Sequence, residues 1–483
     1  MTRNPNRNLV LPLLTLTPLA LLAGCAMGPQ HPTTPVSLAP APVEQTIQPA
    51  SGPAQIVRPG LAVDPHWWTA FHSPAVDALV AQALKSNNDL ATAEATLRQA
   101  QELAKAANGA RAPQIDLRYN AERDRTSGAL SNVLSDPQRY LYTLHTAQLS
   151  VSYPLDLFGG LKSQARSARA QAEVASHRLD AARTMVVANL VTALVQQASL
   201  DAQLDAATTS VQNGRAVLKL LERRRELGDI GDADVAAQQN ALATVEGAIP
   251  SLTRARDHQR TVVAAMIGIA PGSALPALPA LSDFTLPTDL PVALPSDLIA
   301  NRPDVAAAEA QMRGAGADVG TAIAARLPLV QLTAVGGGSA PDFGRMFANG
   351  NPFWQLLGSV VQPLFHGKQL VHQQKAAEAA LDAAKAGYRQ AALVAFGEVS
   401  DALTGLRTDG DALDAATRAN DAASRNLRYT QTQLKLGSVG TMSLLNASNS
   451  AAQASGQLVQ AQAARLVDTV ALFQAVGGHV ATD

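Results

Sequence analysis

The chain has a single cysteine, Cys25, in 483 residues, so no disulfide can form within it. Aromatic residues make up only 4% and charged residues 16%. A large globular core needs bulky side chains, so scarce aromatics beside abundant alanine point to helices packed closely through small residues. The formal net charge of −1 removes the basic footprint of a nucleic-acid-binding protein. Neither glycine nor proline occurs from Leu161 to Asn213, and no proline follows Pro363. No GxSxG, HExxH, CxxC or GxxxxGK[ST] motif is present, and Gly367-Lys368 lacks the rest of a phosphate loop. The nine histidines show no metal-ligand spacing. The sequence thus gives no support to an enzyme, and it calls for no cofactor and no metal.

The N-terminus carries Arg3 and Arg7, then an apolar stretch from about Leu9 to Leu22 interrupted by Pro12 and Pro18. A spanning helix needs about 20 apolar residues, so residues 1–24 read as a secretory signal peptide. The stretch ends in Leu22-Ala23-Gly24-Cys25, which resembles a bacterial lipobox. That resemblance makes Cys25 the lipidation site, with outer membrane lipids around the mature N-terminus. Ala26, in place of aspartate, favours the outer membrane. Residues 25–64 read as a lipidated N-terminus and a tether rich in Pro, Ala and Gln.

One passage occurs twice. Residues 89–117 and 304–332 align without a gap, sharing Asp89/Asp304, Glu94/Glu309, Arg98/Arg313, Arg111/Arg326, Pro113/Pro328 and Leu117/Leu332. Each runs from an Ala-rich helical pattern, across a proline, into an alternating strand pattern. At an offset of 209, Pro154 also matches Pro363, Leu227-Gly228 matches Leu436-Gly437, and Gly231 matches Gly440. The chain therefore divides into a first repeat at 65–270, a Pro- and Leu-rich connector at 271–295, a second repeat at 296–478 and a tail at 479–483. The first repeat contains a strand pair near 113–157, a long helix at 161–227 and a return helix at 232–270, with Pro250 a kink candidate. The second contains a strand pair near 328–364, a long helix at 368–436 and a return helix at 441–476. The Gly-rich stretch 336–351, with Gly336-Gly337-Gly338, reads as an external loop. A helix of about 65 residues is about 100 Å long.

In the first strand Ile115, Leu117, Tyr119 and Ala121 alternate with Gln114, Asp116, Arg118, Asn120 and Glu122. In the second, Ala147, Leu149, Val151, Tyr153, Leu155 and Leu157 alternate with Thr146, Gln148, Ser150, Ser152 and Asp156. Strands of this length with one apolar and one wet face fit a transmembrane barrel, with Tyr119, Tyr153 and Trp354 suited to the lipid interface. Four strands are too few to close a barrel, and open edges in lipid cost several kcal/mol per group, so the barrel is expected to be shared between chains. The long antiparallel helix pairs are expected to close into a helical tunnel.

Several motifs resemble the TolC-like outer membrane efflux factors, specifically the lipidated NodT type. They are HWWTAFHSPAVDALVAQAL at 66–84, SYPLDLFGG at 152–160, LPSDLIANRPDV at 294–305 and YRQAALVAFGEVSDAL at 388–403. The resemblance covers nearly the whole mature chain. It implies an α+β membrane protein, a homotrimer whose strands, four per chain, form a twelve-stranded outer membrane barrel above a periplasmic helical coiled-coil tunnel. It implies a passive exit duct for drugs or small solutes. The implied partners are a periplasmic adaptor and an inner-membrane pump, usually of the resistance-nodulation-division type, with no nucleic acid.

The resemblance also places the periplasmic tip, where the adaptor docks and the pore narrows, at the two helix-helix turns. Its residues here are Gly228, Ile230, Gly231, Asp232 and Asp234 in the first turn, and Gly437, Val439, Gly440 and Thr441 in the second. Val439-Gly440-Thr441 matches a tip motif of the family, whereas Ile230-Gly231-Asp232 departs from its Arg-Leu-Ser-like pattern. Where members often carry pore aspartates this chain has Asn446 and Asn449, and Met442 stands where some have a locking arginine. The expected constriction is therefore Met442, Asn446 and Asn449, with weaker cation preference than in Asp-bearing members. Asp229, Asp232 and Asp234 read as helix N-terminal residues rather than a cation site. Two alternatives are the duct of a type I protein-secretion system and a periplasmic lipoprotein without a pore.

Overall fold

The computed structural model describes residues 43–125, 141–477 and 480. The elements in order are β1 (Gln45–Ile47), β2 (Gln55–Pro59), α1 (Pro74–Ser86), α2 (Asn88–Gly109), β3 (Gln114–Arg125), β4 (Leu141–Leu155), α3 (Gly160–Glu226) and α4 (Asp232–Met266). Then follow β5 (Asp289–Val292), α5 (Pro295–Asn301), α6 (Pro303–Ala324), β6 (Leu329–Ala340), β7 (Pro352–Val361), α7 (Gln369–Lys435) and α8 (Thr441–Ala475). Four pairs of equivalent elements match in length, whereas β4 has 15 residues and β7 has 10. Helices α3 and α7 have 67 residues each, α4 and α8 have 35 each, α2 and α6 have 22 each, and β3 and β6 have 12 each. The sequence offset falls from 215 before the β-hairpins to 209 after them, so the length difference between the copies lies within the hairpin. Helix α4 runs through Pro250 without interruption.

The chain forms two compact units, whose boundaries fall inside α2, α3, α6 and α7. The first unit holds the ends of these helices and an antiparallel sheet of order β3-β4-β6-β7. The register keeps the apolar residues of neighbouring strands on one face: Ile115 pairs with Val151, Leu117 with Leu149, Tyr153 with Leu332, and Ala334 with Leu356. That face stays exposed, with Leu117 at 80% and Trp354 at 83%. The opposite face carries Asp116, Arg118, Gln148 and Ser150, although β7 adds Phe353 and Leu357 to it.

The glycines read as an external loop instead lie in β6, paired with β4 and β7. The reason is space. A Cβ at Gly337 would collide with the Ala147 carbonyl, and one at Gly338 with the Met346 carbonyl, so only glycine lets strand and loop approach this closely. At the strand-to-helix junction the Asp156 carboxylate accepts the backbone N–H groups of Leu161 (3.1 Å) and Lys162 (2.7 Å). It thus satisfies otherwise orphaned donors at the start of α3.

The second unit has its main core where Trp67, Phe71, Leu79 and Val80 meet Leu190, Leu194, Ile267 and Phe473. Trp67 stacks on Phe473 at 5.2 Å between centroids. The apolar window of α3 is long enough to cross a membrane by composition, yet it is 56% buried in the protein and serves as a core helix. The return helix α4 stops at Met266, short of residue 270, because Gly268 at φ 73° ends it against Ser86.

Residues 45–59 depart from the expected tether. Strands β1 and β2 join β5 in a small mixed sheet. The segment between them is strapped to α7 and α8. Asp414 accepts the N–H groups of Ala50 (2.8 Å) and Ser51 (2.7 Å), which hold its carboxyl below the ordinary range. Fully buried Arg465 donates to the Gln55 side chain (3.0 Å) and to the Pro53 carbonyl (2.7 Å). Arg465 lies beside a pair of carboxyls, Asp409 and Asp468; burial and the neighbouring Asp468 push Asp409 up to about 6.

A second buried arginine explains part of the LPSDLIANRPDV motif. Arg302 has a side chain 8% exposed and contacts Asp304 and Glu398 at 2.7 Å each. It also donates to the Ala475 carbonyl at 2.8 Å, closing the C-terminus of α8, where Gly477 adopts φ 75°. Replacing Arg302 by alanine is expected to cost about 2 kcal/mol, the range for a lost hydrogen bond to charged groups, read as a lowered thermal midpoint. The carboxyl pair gives a pH prediction. A folded pKa raised above the unfolded one contributes stability that is full below the ordinary carboxylate value and lost as pH rises through about 6. Asp409→Asn should therefore flatten the fall in melting temperature between about pH 4 and pH 6. An unchanged slope would separate the pair from that fall.

Candidate functional site

The two helix-helix turns lie in the second unit and have the same backbone. Helix α3 ends in arginines, and the N–H of Gly228 bonds to the Arg225 carbonyl (2.9 Å) while that of Asp229 bonds to Arg224 (2.9 Å). In the second turn Gly437 bonds to Leu434 (3.1 Å) and Ser438 to Gln433 (3.0 Å), the same pattern 209 residues later. Both patterns are Schellman closures, and they need a left-handed residue: Gly228 has φ 79° and Gly437 φ 74°. Gly231 and Gly440 then cap the return helices in nearly identical conformations, at φ −88° and −85°. Ile230 and Val439 occupy equivalent half-buried positions between these glycines.

The side chains differ. In the first turn Arg224 approaches Asp229 at 3.8 Å, and Arg225 approaches Asp232 at 3.6 Å. Asp232 and Asp234 also sit in the first turn of α4, where negative charge complements the helix dipole. Arginine neighbours and a helix N-terminus account for these acids without a bound cation. Among the described residues no cluster of three His, Cys, Asp or Glu side chains forms a metal site. In the second turn Thr441 takes the place of Asp232 and is buried.

The α3–α4 hairpin is further tied together. The Gln238 side chain donates to the Gly214 carbonyl (3.1 Å), and Arg215 pairs with Glu246 (2.7 Å). At the matching positions α7 and α8 carry Ala423, Ser424, Ala447 and Ser455, none able to repeat these contacts.

Met442, Asn446 and Asn449 are all exposed, and their spacing puts them on one face of α8. The structure thus brings together the three residues named as a constriction. Asn449 also lines a narrow crevice of about 20 Å³ with Ser210, Gly214, Gln238 and Leu445, so it borders the first hairpin as well. Cys25 lies outside the described residues. Sequence reasoning missed Arg465, Asp409 and Asp468. Asp409 and Asp468 stand on different helices, and no local spacing joins them. Arg302 was visible only as part of a motif.

The sequence profile of the family described as outer membrane efflux protein matches residues 79–269 and 294–478, the two repeats. A pyoverdine export outer membrane protein of Pseudomonas putida, OpmQ, is 30% identical over 96% of this chain and 97% of its own. A probable outer membrane lipoprotein of Salmonella typhimurium, SilC, is 26% identical over 97% of this chain and 98% of its own. Among solved structures the outer-membrane channel OprN superposes with a TM-score of 0.82 at 25% identity, covering 94% of this chain and 99% of that one. With both repeats matched and the whole architecture shared, the chain belongs to the outer membrane efflux protein family.

Proposed function

We propose that the protein is a passive exit duct, without catalytic activity, that carries small solutes through the outer membrane for a tripartite efflux system. The observation that carries this reading is the four-stranded sheet, with one continuous apolar face and with β3 and β7 as open edges. Three such sheets joined edge to edge make a twelve-stranded barrel with lipid outside and water inside. The long helices supply the periplasmic tunnel, and an inner-membrane pump of the resistance-nodulation-division type supplies the energy. The adaptor docks on the paired turns, whose residues Gly228, Ile230, Gly231, Asp232, Asp234, Gly437, Val439, Gly440 and Thr441 present two like backbones with unlike charges. Lipid attached to Cys25 adds an anchor.

The constriction is the stripe of Met442, Asn446 and Asn449. Amides there offer no ring of negative charge, and methionine offers no arginine lock, so ion preference is weak and closure rests on packing.

The purified trimer should conduct ions in a planar bilayer, and a trimer without current would overturn the duct. Asn446→Asp and Asn449→Asp should each move the reversal potential toward cation preference. A strong cation preference already present in the unmutated channel, abolished by mutating either asparagine to a non-carboxylate, would contradict the assignment. Cys25→Ala should abolish palmitate labelling, and label retained elsewhere would refute the anchor.

A further inference from the structure

We propose that the outer end of the sheet carries a binding surface for a phosphate-bearing lipid of the outer leaflet, built from an aromatic flap and the arginines Arg123 and Arg125. The inference rests on the barrel reading and goes beyond it.

The flap is the connection between β6 and β7. A short 3₁₀ turn at Phe343–Arg345 starts it, and the Asn351 side chain ties it by donating to the Arg345 carbonyl at 2.7 Å. It folds back onto the apolar face of the sheet. Three observations place it there. A Cβ on Gly338, a residue of that face, would strike the Met346 carbonyl. Ala340, on the same face, is only 2% exposed, and Met346 only 4%. Phe343 meets the edges of Tyr119 (5.7 Å) and His145 (6.2 Å), both on that face, and the Tyr119 hydroxyl hydrogen-bonds His145 at 2.7 Å.

Having covered the sheet with Met346, the flap leaves Phe343 63% and Phe347 66% exposed. Two large rings turned outward from an apolar face suit a lipid boundary. Their height agrees. Val330 to Gly338 is eight residue steps on the apolar face. That is about 27 Å along the strand, or about 20 Å along the normal at about 40° tilt. The apolar band of such barrels is about 25 Å tall, so the flap sits just below its outer rim.

Beyond Tyr119 the apolar face of β3 changes character. Its next positions are Ala121, Arg123 and Arg125, with Arg123 paired to Thr143 and Arg125 to Leu141. The acids of this stretch, Glu122 and Asp124, occupy the alternate positions and therefore the other face. The outward face thus runs from aliphatic, through aromatic, to cationic, the order of acyl chain, glycerol or sugar level, and phosphate. Charge and height together favour an anionic lipid over a protein partner.

Two measurements on the reconstituted full-length trimer test this. In a Cys25→Ala background, Phe347→Cys bearing an environment-sensitive fluorophore should be quenched by lipids brominated near the head of the acyl chain. Quenching by aqueous iodide alone would overturn the flap. Lipid retention in native mass spectrometry should favour phosphatidic acid over phosphatidylcholine. The double variant Arg123→Gln/Arg125→Gln should lose this preference by about 25-fold, at about fivefold per arginine near a charged bilayer surface. The lysine pair Arg123→Lys/Arg125→Lys should keep most of it. A preference unchanged in the glutamine pair would overturn the arginine site. Bilayer conductance of each variant separates the outcomes: current without lipid preference sinks this surface and leaves the duct standing.

Discussion

A strand in hydrocarbon must have both edges hydrogen-bonded, because the bilayer offers no water to replace a missing partner. Among the described residues this chain brings four strands to the sheet that must meet that rule. The sheet β3-β4-β6-β7 pairs three interfaces internally and leaves the outer edges of β3 and β7 to other chains. Assembly is then a condition of insertion rather than an addition to it. The same rule explains why the apolar face needs no covering layer of helices: the solvent on that side is lipid.

Duplication supplies the sheet economically. Each copy gives two strands and a pair of helices, and the long and return helices keep the same lengths in both copies. The strand hairpin and the turn side chains were free to diverge. At the turns this yields the same Schellman closure twice, one flanked by arginine–aspartate pairs and one bearing threonine and methionine. A fixed backbone with variable charge is what a docking surface or a gate can use without endangering the fold.

The helical unit depends on two buried arginines used as fasteners. Arg302 joins the start of α6 to the end of α8, and Arg465 joins α8 to the strap between β1 and β2. Truncating either arginine would remove hydrogen bonds that join segments distant in the chain, such as those from Arg302 to the Ala475 carbonyl and from Arg465 to the Pro53 carbonyl. Asp409 and Asp468 sit in the same cluster beside Arg465, and burial raises both carboxyls above the ordinary range.

The sequence by itself determined the periodic and local features. The helix spans, the strand faces, both glycine turns and the duplication are written in near-neighbour patterns of two, of about three and a half, and of 209 residues. Met442, Asn446 and Asn449 were named from the family resemblance, and their spacing along α8 puts them on one helix face. Only the tertiary structure decided what depends on partners distant in the chain. Gly336–Gly338 looked like a loop because glycine disfavours strands; the approach of Ala147 and Met346 made glycine necessary at Gly337 and Gly338. Residues 45–59 looked like a tether because their composition is that of one; β5, Asp414 and Arg465, more than 200 residues away, gave them structure. Periodicity records which face of an element is apolar, whereas hydrogen bonds between remote segments leave no local trace.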